Sequence, residues 1–303
     1  MRAVVIGGSG QIGGSLLDSL RERGAEASGT YATVAYPGLI HLDAADLESS
    51  ASWIRASRPD VVFYPAGFTW VDGCERDRDK AFFANHTQPL NIARAVASYG
   101  GRFINFSTDY VFDGLSGPYT ELDPPNPLSV YGQAKRQAEL DLERELGELQ
   151  LTIRTAWVFG PERQGKNFAY QLVRALKAGK PMIVPSDQVS SPSYGPDVAR
   201  VAVELAERRV SGLIHVVGPE TIDRLTFARA IALGFDLDPS AISAKPTAEL
   251  AQGAPRPLQG GLLTPRLDSL IPAAMRPLDQ SIADFVARLD RRSDYADPRK
   301  SAG

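Results

Sequence analysis

The first twenty residues of the chain constrain its fold more than any other segment. A short apolar, β-branched run at residues 2–6 leads directly into residues 7–13, Gly-Gly-Ser-Gly-Gln-Ile-Gly. A helical pattern follows at once, with Leu16, Leu17 and Leu20 on one side. Because strand, glycine turn and helix in this order form the opening unit of a parallel α/β sheet, the segment predicts a Rossmann-type architecture.

The same turn has a binding interpretation. Two overlapping glycine spacings are present, one formed by Gly7, Gly10 and Gly13 and the other by Gly8, Gly10 and Gly13. Glycines permit a tight turn and a close approach of the backbone to a pyrophosphate, which sits on the amides of the helix N-terminus. The alternative is a glycine-rich turn that binds nothing. The surrounding strand and helix favour a dinucleotide cofactor.

Strand and helix patterns alternate through the first half of the chain. The predicted strands are residues 61–64, 103–106 and 151–155, and the predicted helices are residues 46–57, 80–99 and 130–147. Such alternation means right-handed crossovers and a parallel sheet with helices on both faces. The predicted fold class is therefore α/β, with a doubly wound parallel sheet of Rossmann type.

Proline and glycine become denser in the second half. Three stretches, residues 158–166, 179–196 and 252–277, break the pattern into short elements. They predict a small C-terminal substrate-binding lobe. We expect residues 1–157 to form mainly the dinucleotide-binding domain, with returning elements at about 196–217, and residues 158–290 mainly the lobe. Residues 291–303 are polar and charged, and are expected to be a disordered tail.

Composition narrows the functional classes. The net charge of −3 and the sequence pI near 5.7 do not favour nucleic acid or a membrane surface as a partner. Cys74 is the single cysteine, which excludes internal disulfides and fits a reducing compartment. His41, His86 and His215 are scattered without metal-ligand spacing, so no metal is expected. No signal peptide or spanning segment is recognised, and the expected location is cytoplasmic.

Three side chains indicate proton transfer to or from a carbonyl or alcohol. Tyr131 and Lys135 are four residues apart on a predicted helix, so both reach the same small volume. A positive charge beside a phenol is expected to lower its pKa from about 10 toward the working range. Thr108, at the end of a predicted strand, can hydrogen-bond the same substrate oxygen. A packed tyrosine and a solvated lysine are the alternative interpretation.

Several longer motifs in the sequence resemble those of a known protein family. They are residues 7–13, 58–62, 69–72 with Glu75, 107–114 (Ser-Thr-Asp-Tyr-Val-Phe-Asp-Gly), 131–135, 154–160 (Arg-Thr-Ala-Trp-Val-Phe-Gly), 167–168, 187–188 and 256–257. On these motifs the chain resembles the extended short-chain dehydrogenase/reductase family, and within it the dTDP-4-dehydrorhamnose reductases. The resemblance implies hydride transfer from NAD(P)H to the C4 carbonyl of dTDP-4-dehydrorhamnose, giving dTDP-rhamnose. The small-molecule partner it implies is a nucleotide sugar, and a homodimer is common in this superfamily.

The resemblance also implies roles for individual residues. Tyr131 would donate the proton, Lys135 would hold the nicotinamide ribose, and Thr108 would hydrogen-bond the reacting oxygen. The residues implied to contact the cofactor are Gly7, Gly10, Gln11, Ile12, Gly13, Asp43, Gly67, Phe68, Thr69, Tyr131 and Lys135. Those implied to contact the substrate are Thr108, Asp109, Trp157 and Arg256.

Several of these residues have a plainer interpretation. Asp43 can cap the helix that starts near residue 46, and Asp109 can cap a turn. Trp157 can belong to the core, and Arg256 can be an ordinary surface residue. Each pair of interpretations stays open at the level of sequence.

The cofactor and the reaction keep alternatives of their own. No Asp or Glu occurs between Glu26 and Asp43 to bind the ribose 2′-hydroxyl, and no Arg occurs between Arg23 and Arg55 to bind a 2′-phosphate. We expect NADPH and leave the use of NADH open. Pro65 and the bulky residues 68–70 depart from the family pattern, so another 4-keto sugar nucleotide is one alternative substrate. A non-catalytic NADP-binding regulatory subunit, resembling the β subunit of methionine adenosyltransferase, is the other alternative.

Overall fold

The computed structural model describes residues 1–300, and its main sheet is parallel throughout. The strands are β1 (Arg2–Val5), β2 (Glu26–Tyr31), β3 (Leu39–His41), β4 (Val61–Tyr64), β5 (Arg102–Thr108), β6 (Gln150–Thr155), β7 (Val158–Phe159), β8 (Met182–Pro185), β9 (Val189–Ser190), β10 (Ser193–Tyr194), β11 (Gly212–His215), β12 (Ile222–Asp223) and β13 (Ile242–Lys245). Seven of them form one sheet in the order β11-β6-β5-β4-β1-β2-β3. The strand order reverses between β1 and β4, which places a binding crevice at their carboxyl ends.

Helices cover both faces of this sheet. They are α1 (Gln11–Glu22), α2 (Leu47–Ser57), α3 (Val71–Arg76), α4 (Arg78–Phe82), α5 (Gln88–Ala97), α6 (Val130–Leu146), α7 (Phe168–Lys177), α8 (Gly195–Glu207), α9 (Arg224–Gly234), α10 (Pro265–Leu270) and α11 (Leu278–Arg291). A π-helical turn, Phe83–Thr87, joins α4 to α5. The predicted helix at 80–99 therefore exists as α4, a π turn and α5 in succession. The predicted Rossmann-type class is confirmed.

Side-chain caps explain where the helices begin. Asp46 precedes α2, and its carboxylate accepts a hydrogen bond from the Ser49 amide at 3.0 Å. Ser129 precedes α6, and its hydroxyl accepts from the Gly132 amide at 3.2 Å. Such caps satisfy amides that have no partner inside the helix. They confirm the predicted starts of both helices.

The core lies in two layers, one on each face of the sheet. Neighbouring strand residues belong to opposite layers: Val4 and Val62 pack on the side of α2 and α5, whereas Val5 and Phe63 pack on the side of α1 and α8. This alternation follows from the two-residue repeat of a strand. Since both faces are buried, the strands are apolar at consecutive positions.

A smaller lobe follows β6. It combines short strand pairs, β8 with β13 and β9 with β12, and a separate apolar cluster built mainly from α7, α9 and α11. Helix α8 and strand β11 return to the main domain, where β11 pairs with β6. Residues 267–275, which the sequence assigned to the lobe, also contribute Leu267 and Met275 to the main core.

The expectation of a disordered tail is corrected for residues 291–300. Arg292 Nη1 donates to the Asp18 carboxylate at 2.6 Å, and the Tyr295 hydroxyl donates to the same carboxylate at 2.9 Å. The Ala296 amide donates to the carbonyl of Glu162 at 3.0 Å. The charged side chains of this segment form ion pairs with residues elsewhere in the protein. Residues 301–303 lie outside the described residues.

Candidate active site

The glycine turn has the close contacts that a dinucleotide site needs. Gly7 has φ +92°, and a Cβ placed on Gly13 would lie 2.0 Å from the Gly7 carbonyl oxygen. Only glycine fits these two positions, because a side chain would push α1 away from the turn. No side chain caps the first turn of α1, so the amides of Gln11 and Ile12 remain available to an anion. The residues present fit a pyrophosphate.

A loop from the lobe covers this turn. Gln164 Nε2 donates to the Ser9 carbonyl at 2.9 Å, and Gln11 Nε2 approaches the Gly160 carbonyl at 3.5 Å. Residues 160–166 therefore cross from the substrate lobe to the proposed cofactor turn. Asp43 lies farther along the sheet edge, where its carboxylate accepts from the Ala45 amide at 2.9 Å. Asp43 thus shapes the turn before α2, whereas the capping residue of that helix is Asp46.

Asn85 holds the segment after β4, and sequence reasoning missed it. Its side chain is 1% exposed; its oxygen accepts from the Phe68 amide at 3.1 Å, and its nitrogen donates to the Phe68 carbonyl at 3.0 Å. Asn85 lies in the π turn, a distortion that helical periodicity does not reveal and that often occurs at functional sites. A Cβ on Gly67 would lie 3.4 Å from Lys135 Nζ. Gly67, Phe68 and the following Thr69 therefore run beside Lys135.

The structure brings Thr108, Tyr131 and Lys135 together at the end of β5. Tyr131 and Lys135 stand one turn apart on α6, and all three side chains are less than a tenth exposed. Lys135 Nζ donates to the Phe106 carbonyl at 3.0 Å, and Thr108 is close enough to Tyr131 to influence the pKa of its phenol. The alternative of a solvated lysine is wrong, because Lys135 is buried.

The expected lowering of the Tyr131 pKa is also wrong for this structure. Burial raises that pKa above its ordinary value, and the charge of Asp109 acts in the same direction. Burial lowers the pKa of Lys135 to about 8, against the opposing effect of Glu139. Desolvation of the phenol, the largest cause, therefore sets the direction of the shift. Tyr131 is a neutral phenol at pH 7, which is the form of a proton donor.

Asp109 lies beside Thr108 and Tyr131, whereas Trp157 packs against Phe227 and the apolar cluster of the lobe. The Asp109 carboxylate is 4% exposed and accepts from the hydroxyls of Thr108 at 3.0 Å and Ser190 at 2.8 Å. The turn at this point is capped by Thr108, whose oxygen accepts from the Tyr110 amide at 3.2 Å. Trp157 has φ +38°, a left-handed backbone that is unusual outside glycine and is found at functional sites.

Arg224 is a second residue that sequence reasoning missed. The guanidinium carbon of Arg224 lies 3.4 Å from the centre of the Trp157 ring system and 4.8 Å from the centre of the Phe168 ring. Within residues 1–300 it has no carboxylate within 4.0 Å. Loss of hydration lowers its pKa to about 10, while the charge of Asp109 opposes that shift. The cleft therefore holds a stacked cation without an ion-pair partner.

Arg256 lies in the same cleft. Its Nη2 donates to the Asp72 carboxylate at 2.9 Å, and its side chain is 13% exposed. The positive charge of Arg256 contributes to the lowered pKa of Arg224, so the two guanidinium groups act on one region. The interpretation of Arg256 as an ordinary surface residue is wrong.

A buried ion pair lies beneath the site. The Glu139 carboxylate accepts from Arg154 Nη2 at 2.7 Å and from Arg154 Nε at 2.8 Å, and both side chains are 2% exposed. The Ser107 hydroxyl donates to the same carboxylate at 2.6 Å. These bonds tie α6 to β5 and β6, and thereby fix the helix that carries Tyr131 and Lys135.

Residues 1–300 contain neither a candidate metal cluster nor a helix that could span a membrane. No cluster of three or more His, Cys, Asp or Glu side chains has the arrangement of a metal site. None of the described helices combines the length and the apolar character needed to cross a bilayer.

The fold and the site define a Rossmann-type dinucleotide-binding protein with a tyrosine–lysine pair, the class of the short-chain dehydrogenases/reductases. Within this class the chain belongs to the family described as RmlD substrate binding domain, whose model matches residues 1–291. The resemblance inferred from the motifs is thereby confirmed.

Individual relatives agree with this assignment. The chain is 34% identical over 254 residues to a dTDP-4-dehydrorhamnose reductase of Burkholderia thailandensis, which covers 80% of each chain. It is 32% identical over 257 residues to the spore coat polysaccharide biosynthesis protein SpsK of Bacillus subtilis, covering 84% of this chain and 87% of that protein. A crystal structure of dTDP-4-dehydrorhamnose reductase from Bacillus anthracis in complex with NADP superposes with a TM-score of 0.86, at 25% identity, over 95% of this chain and 99% of that one.

Proposed function

We propose that this protein reduces the C4 carbonyl of dTDP-4-dehydrorhamnose to give dTDP-rhamnose, with a nicotinamide dinucleotide as hydride donor. The broader class, an NAD(P)H-dependent sugar-nucleotide reductase, follows from the family and its relatives. The observation that carries the specific proposal is the convergence of Thr108, Tyr131 and Lys135 at the carboxyl end of β5, beside the segment that follows β4.

The reaction divides between the cofactor and the chain. When bound, the nicotinamide supplies a hydride to C4. Tyr131, held neutral by burial, donates its phenolic proton to the oxygen that gains charge. We assign the Thr108 hydroxyl, at the end of β5, to hydrogen-bond the same oxygen. Lys135, with a pKa of about 8, is largely protonated at pH 7. Its positive charge stabilises the phenolate that remains after proton transfer.

We propose NADPH as the preferred cofactor and NADH as an accepted one. The amides of Gln11 and Ile12 face the pyrophosphate in this proposal, with Gly7 and Gly13 allowing its close approach. Asp43, at the end of β3, lies on the adenine side. The Bacillus anthracis relative was solved with NADP, which supports the same choice.

The substrate lies between the lobe and β5 in this proposal. Asp109, Trp157 and Arg256 contact the nucleotide sugar. Arg224, which has no carboxylate partner in residues 1–300, pairs with its diphosphate, because a guanidinium binds phosphate oxygens through charge-assisted hydrogen bonds. A homodimer in the cytoplasm remains the expected setting of the reaction.

The experiment is a substrate test on the purified chain. NADPH absorbance is followed with dTDP-4-dehydrorhamnose, and the stereochemistry of the product is determined. Tyr131→Phe should reduce turnover by about 10²–10⁴-fold while NADPH still binds. Tyr64→Phe is the matched control, because Tyr64 is also fully buried and its hydroxyl has no hydrogen-bond partner in residues 1–300.

Three results would change the proposal. If only a different keto sugar nucleotide is turned over, the proposed carbonyl reduction stands and the proposed substrate is replaced by that compound. Tight NADPH binding without oxidation by any keto sugar nucleotide would favour the regulatory-subunit alternative. Equal turnover by Tyr131→Phe and the wild type would remove Tyr131 from its role as proton donor.

A further inference from the structure

A second pocket opens at the opposite edge of the sheet, where the strands begin. It has a volume of about 580 Å³ and lies at the starts of β1, β4 and β5, near the ends of α2, α5 and α8. We call it the amino-edge pocket and define it by Arg2, Arg58, Tyr99, Arg102 and Arg209. The proposed reaction takes place at the other edge of the sheet and uses none of these residues.

Arg102 is the unusual member of the pocket. Its side chain is 6% exposed, and its Nη2 donates to the Val210 carbonyl at 2.5 Å. Its Nε and Nη1 are buried and have no hydrogen-bond partner within residues 1–300. A buried guanidinium without a counter-charge is costly, and a protein normally compensates it with a carboxylate or a bound anion.

No carboxylate of the pocket compensates this charge. Arg58, Arg102 and Arg209 form no ion pair in the described part of the chain. Of the two acidic side chains on the pocket wall, Asp60 accepts from the Arg2 amide at 2.7 Å and lies 4.0 Å from the Arg2 guanidinium, and Glu207 accepts from Arg23 at 2.5 Å. The pocket is therefore positive on a chain whose net charge is −3.

Nearby helix C-termini can stabilise some, but not all, of the arginine side chains in this pocket. Three helices end near the pocket, and cations near a helix C-terminus are favourable. Arg102 Nη2 and Arg2 Nη2 do serve backbone carbonyls, those of Val210 and Arg58. That arrangement leaves Nε and Nη1 of Arg102 without an acceptor in residues 1–300. Arg58 and Arg209 are exposed, and the Arg58 guanidinium lies 5.2 Å from the centre of the Tyr99 ring.

We propose that the amino-edge pocket binds the phosphate group of a small anion. Arg58 and Arg209 at the rim provide charge-assisted hydrogen bonds to the phosphate oxygens, and Arg102 is the positive rear wall. The Tyr99 hydroxyl, also buried without a partner in residues 1–300, is a further donor at the wall. The phosphate comes either from inorganic phosphate or from a sugar phosphate that fills the rest of the cavity.

Titration calorimetry on the full chain tests the site at constant ionic strength. The probes are inorganic phosphate, glucose 1-phosphate and uncharged glucose. We expect saturable binding of at least one phosphate probe and none of glucose. Binding of glucose 1-phosphate at least tenfold tighter than phosphate identifies a sugar phosphate as the ligand, and equal or weaker binding identifies inorganic phosphate.

Two double variants decide whether the arginines are responsible. Arg58→Gln with Arg209→Gln should weaken the binding at least tenfold, and both side chains are exposed, so the fold is retained. Arg55→Gln with Arg229→Gln removes the same charge from exposed positions outside the pocket and should change the affinity less than twofold. The proposal fails if neither phosphate probe binds saturably, or if the two double variants weaken binding equally.

Discussion

Helix α6 carries two buried ionisable side chains one turn apart, and their surroundings differ. Glu139 accepts hydrogen bonds from Ser107, Arg136 and Arg154, and these donors lower its pKa. Within residues 1–300 Lys135 has a single acceptor, the Phe106 carbonyl, and burial lowers its pKa to about 8. The first group is fully satisfied and holds strands together. Lys135 has fewer hydrogen-bond partners than Glu139, and it lies where the proposed proton transfer needs a positive charge.

The largest expected effects come from replacing these two side chains: one substitution should reduce stability, and the other should reduce activity. Glu139→Gln should lower the free energy of unfolding by about 3–5 kcal/mol, because it leaves Arg154 buried without a counter-charge. Lys135→Met, of similar volume, should change that free energy by less than about 1 kcal/mol and abolish turnover. Urea unfolding and NADPH oxidation measure the two quantities. Equal losses of stability in the two variants would contradict the inference that Glu139 stabilises the fold more than Lys135 does.

The stability that depends on the buried Glu139–Arg154 pair and its neighbour His215 should also decrease at acidic pH. His215 is fully buried, with Nε2 3.4 Å from Arg154 Nη1, and burial followed by the charge of Arg154 lowers its pKa to about 4. The folded state therefore disfavours protonation, and the unfolded chain binds the extra proton first. The contribution of His215 to stability is complete above pH 6.5 and is lost as the pH falls toward 4.

His215→Gln removes this titration and provides the measurement. The difference in unfolding free energy between the wild type and the variant should shrink by roughly 2–3 kcal/mol from pH 6.5 to pH 4. Far-UV circular dichroism in urea at each pH gives both values. A difference that stays constant over this range would show that His215 does not protonate on unfolding.

Arg224, in the lobe, is another cation that has no carboxylate within 4.0 Å among the described residues, and it extends the comparison to that part of the molecule. Arg224→Gln should raise the KM for the nucleotide sugar about 10–50-fold, the loss expected when a charged hydrogen bond to phosphate is removed, with kcat within about threefold. Affinity for dTDP should fall by a similar factor, and affinity for thymidine should not change. Arg229→Gln, an exposed position on the same helix, is the control. A loss confined to kcat would contradict diphosphate binding.

The smallest expected effect concerns the loop over the glycine turn. Gln164→Ala removes a neutral hydrogen bond to the Ser9 carbonyl, so NADPH affinity should fall about two- to tenfold. Gln171→Ala removes the exposed bond to the Lys166 carbonyl and should leave that affinity unchanged. Fluorescence titration of NADPH measures both. Tighter binding by Gln164→Ala would mean that the loop obstructs the cofactor instead of covering it.

The sequence predicted those features that depend on local geometry. Tyr131 and Lys135 were placed together because four residues make one helical turn. The glycine turn, the strand that precedes it and the helix that follows were also predicted, since their signals are contiguous. Asp109, Trp157 and Arg256 were named through the resemblance and not through any spacing.

The remaining features depend on contacts between distant segments. Arg224 reaches Trp157 by packing of the lobe, and Asn85 acts from a π turn that no periodicity announces. The direction of the Tyr131 pKa was missed because desolvation depends on how completely the tertiary structure encloses the phenol. The polar residues after 291 suggested disorder because their partner, Asp18, lies at the other end of the chain.

That last contact has a kinetic consequence. The bonds from Arg292 and Tyr295 to Asp18 close loops of 274 and 277 residues, among the longest the described chain contains. Loop closure of this length is entropically unfavourable before the intervening chain is folded, so the contact forms late on the folding pathway. The contact between Asp18 on α1 and residues 292–295 is therefore secured only after the sheet has assembled, and hydrogen exchange should find residues 292–295 among the first regions to open.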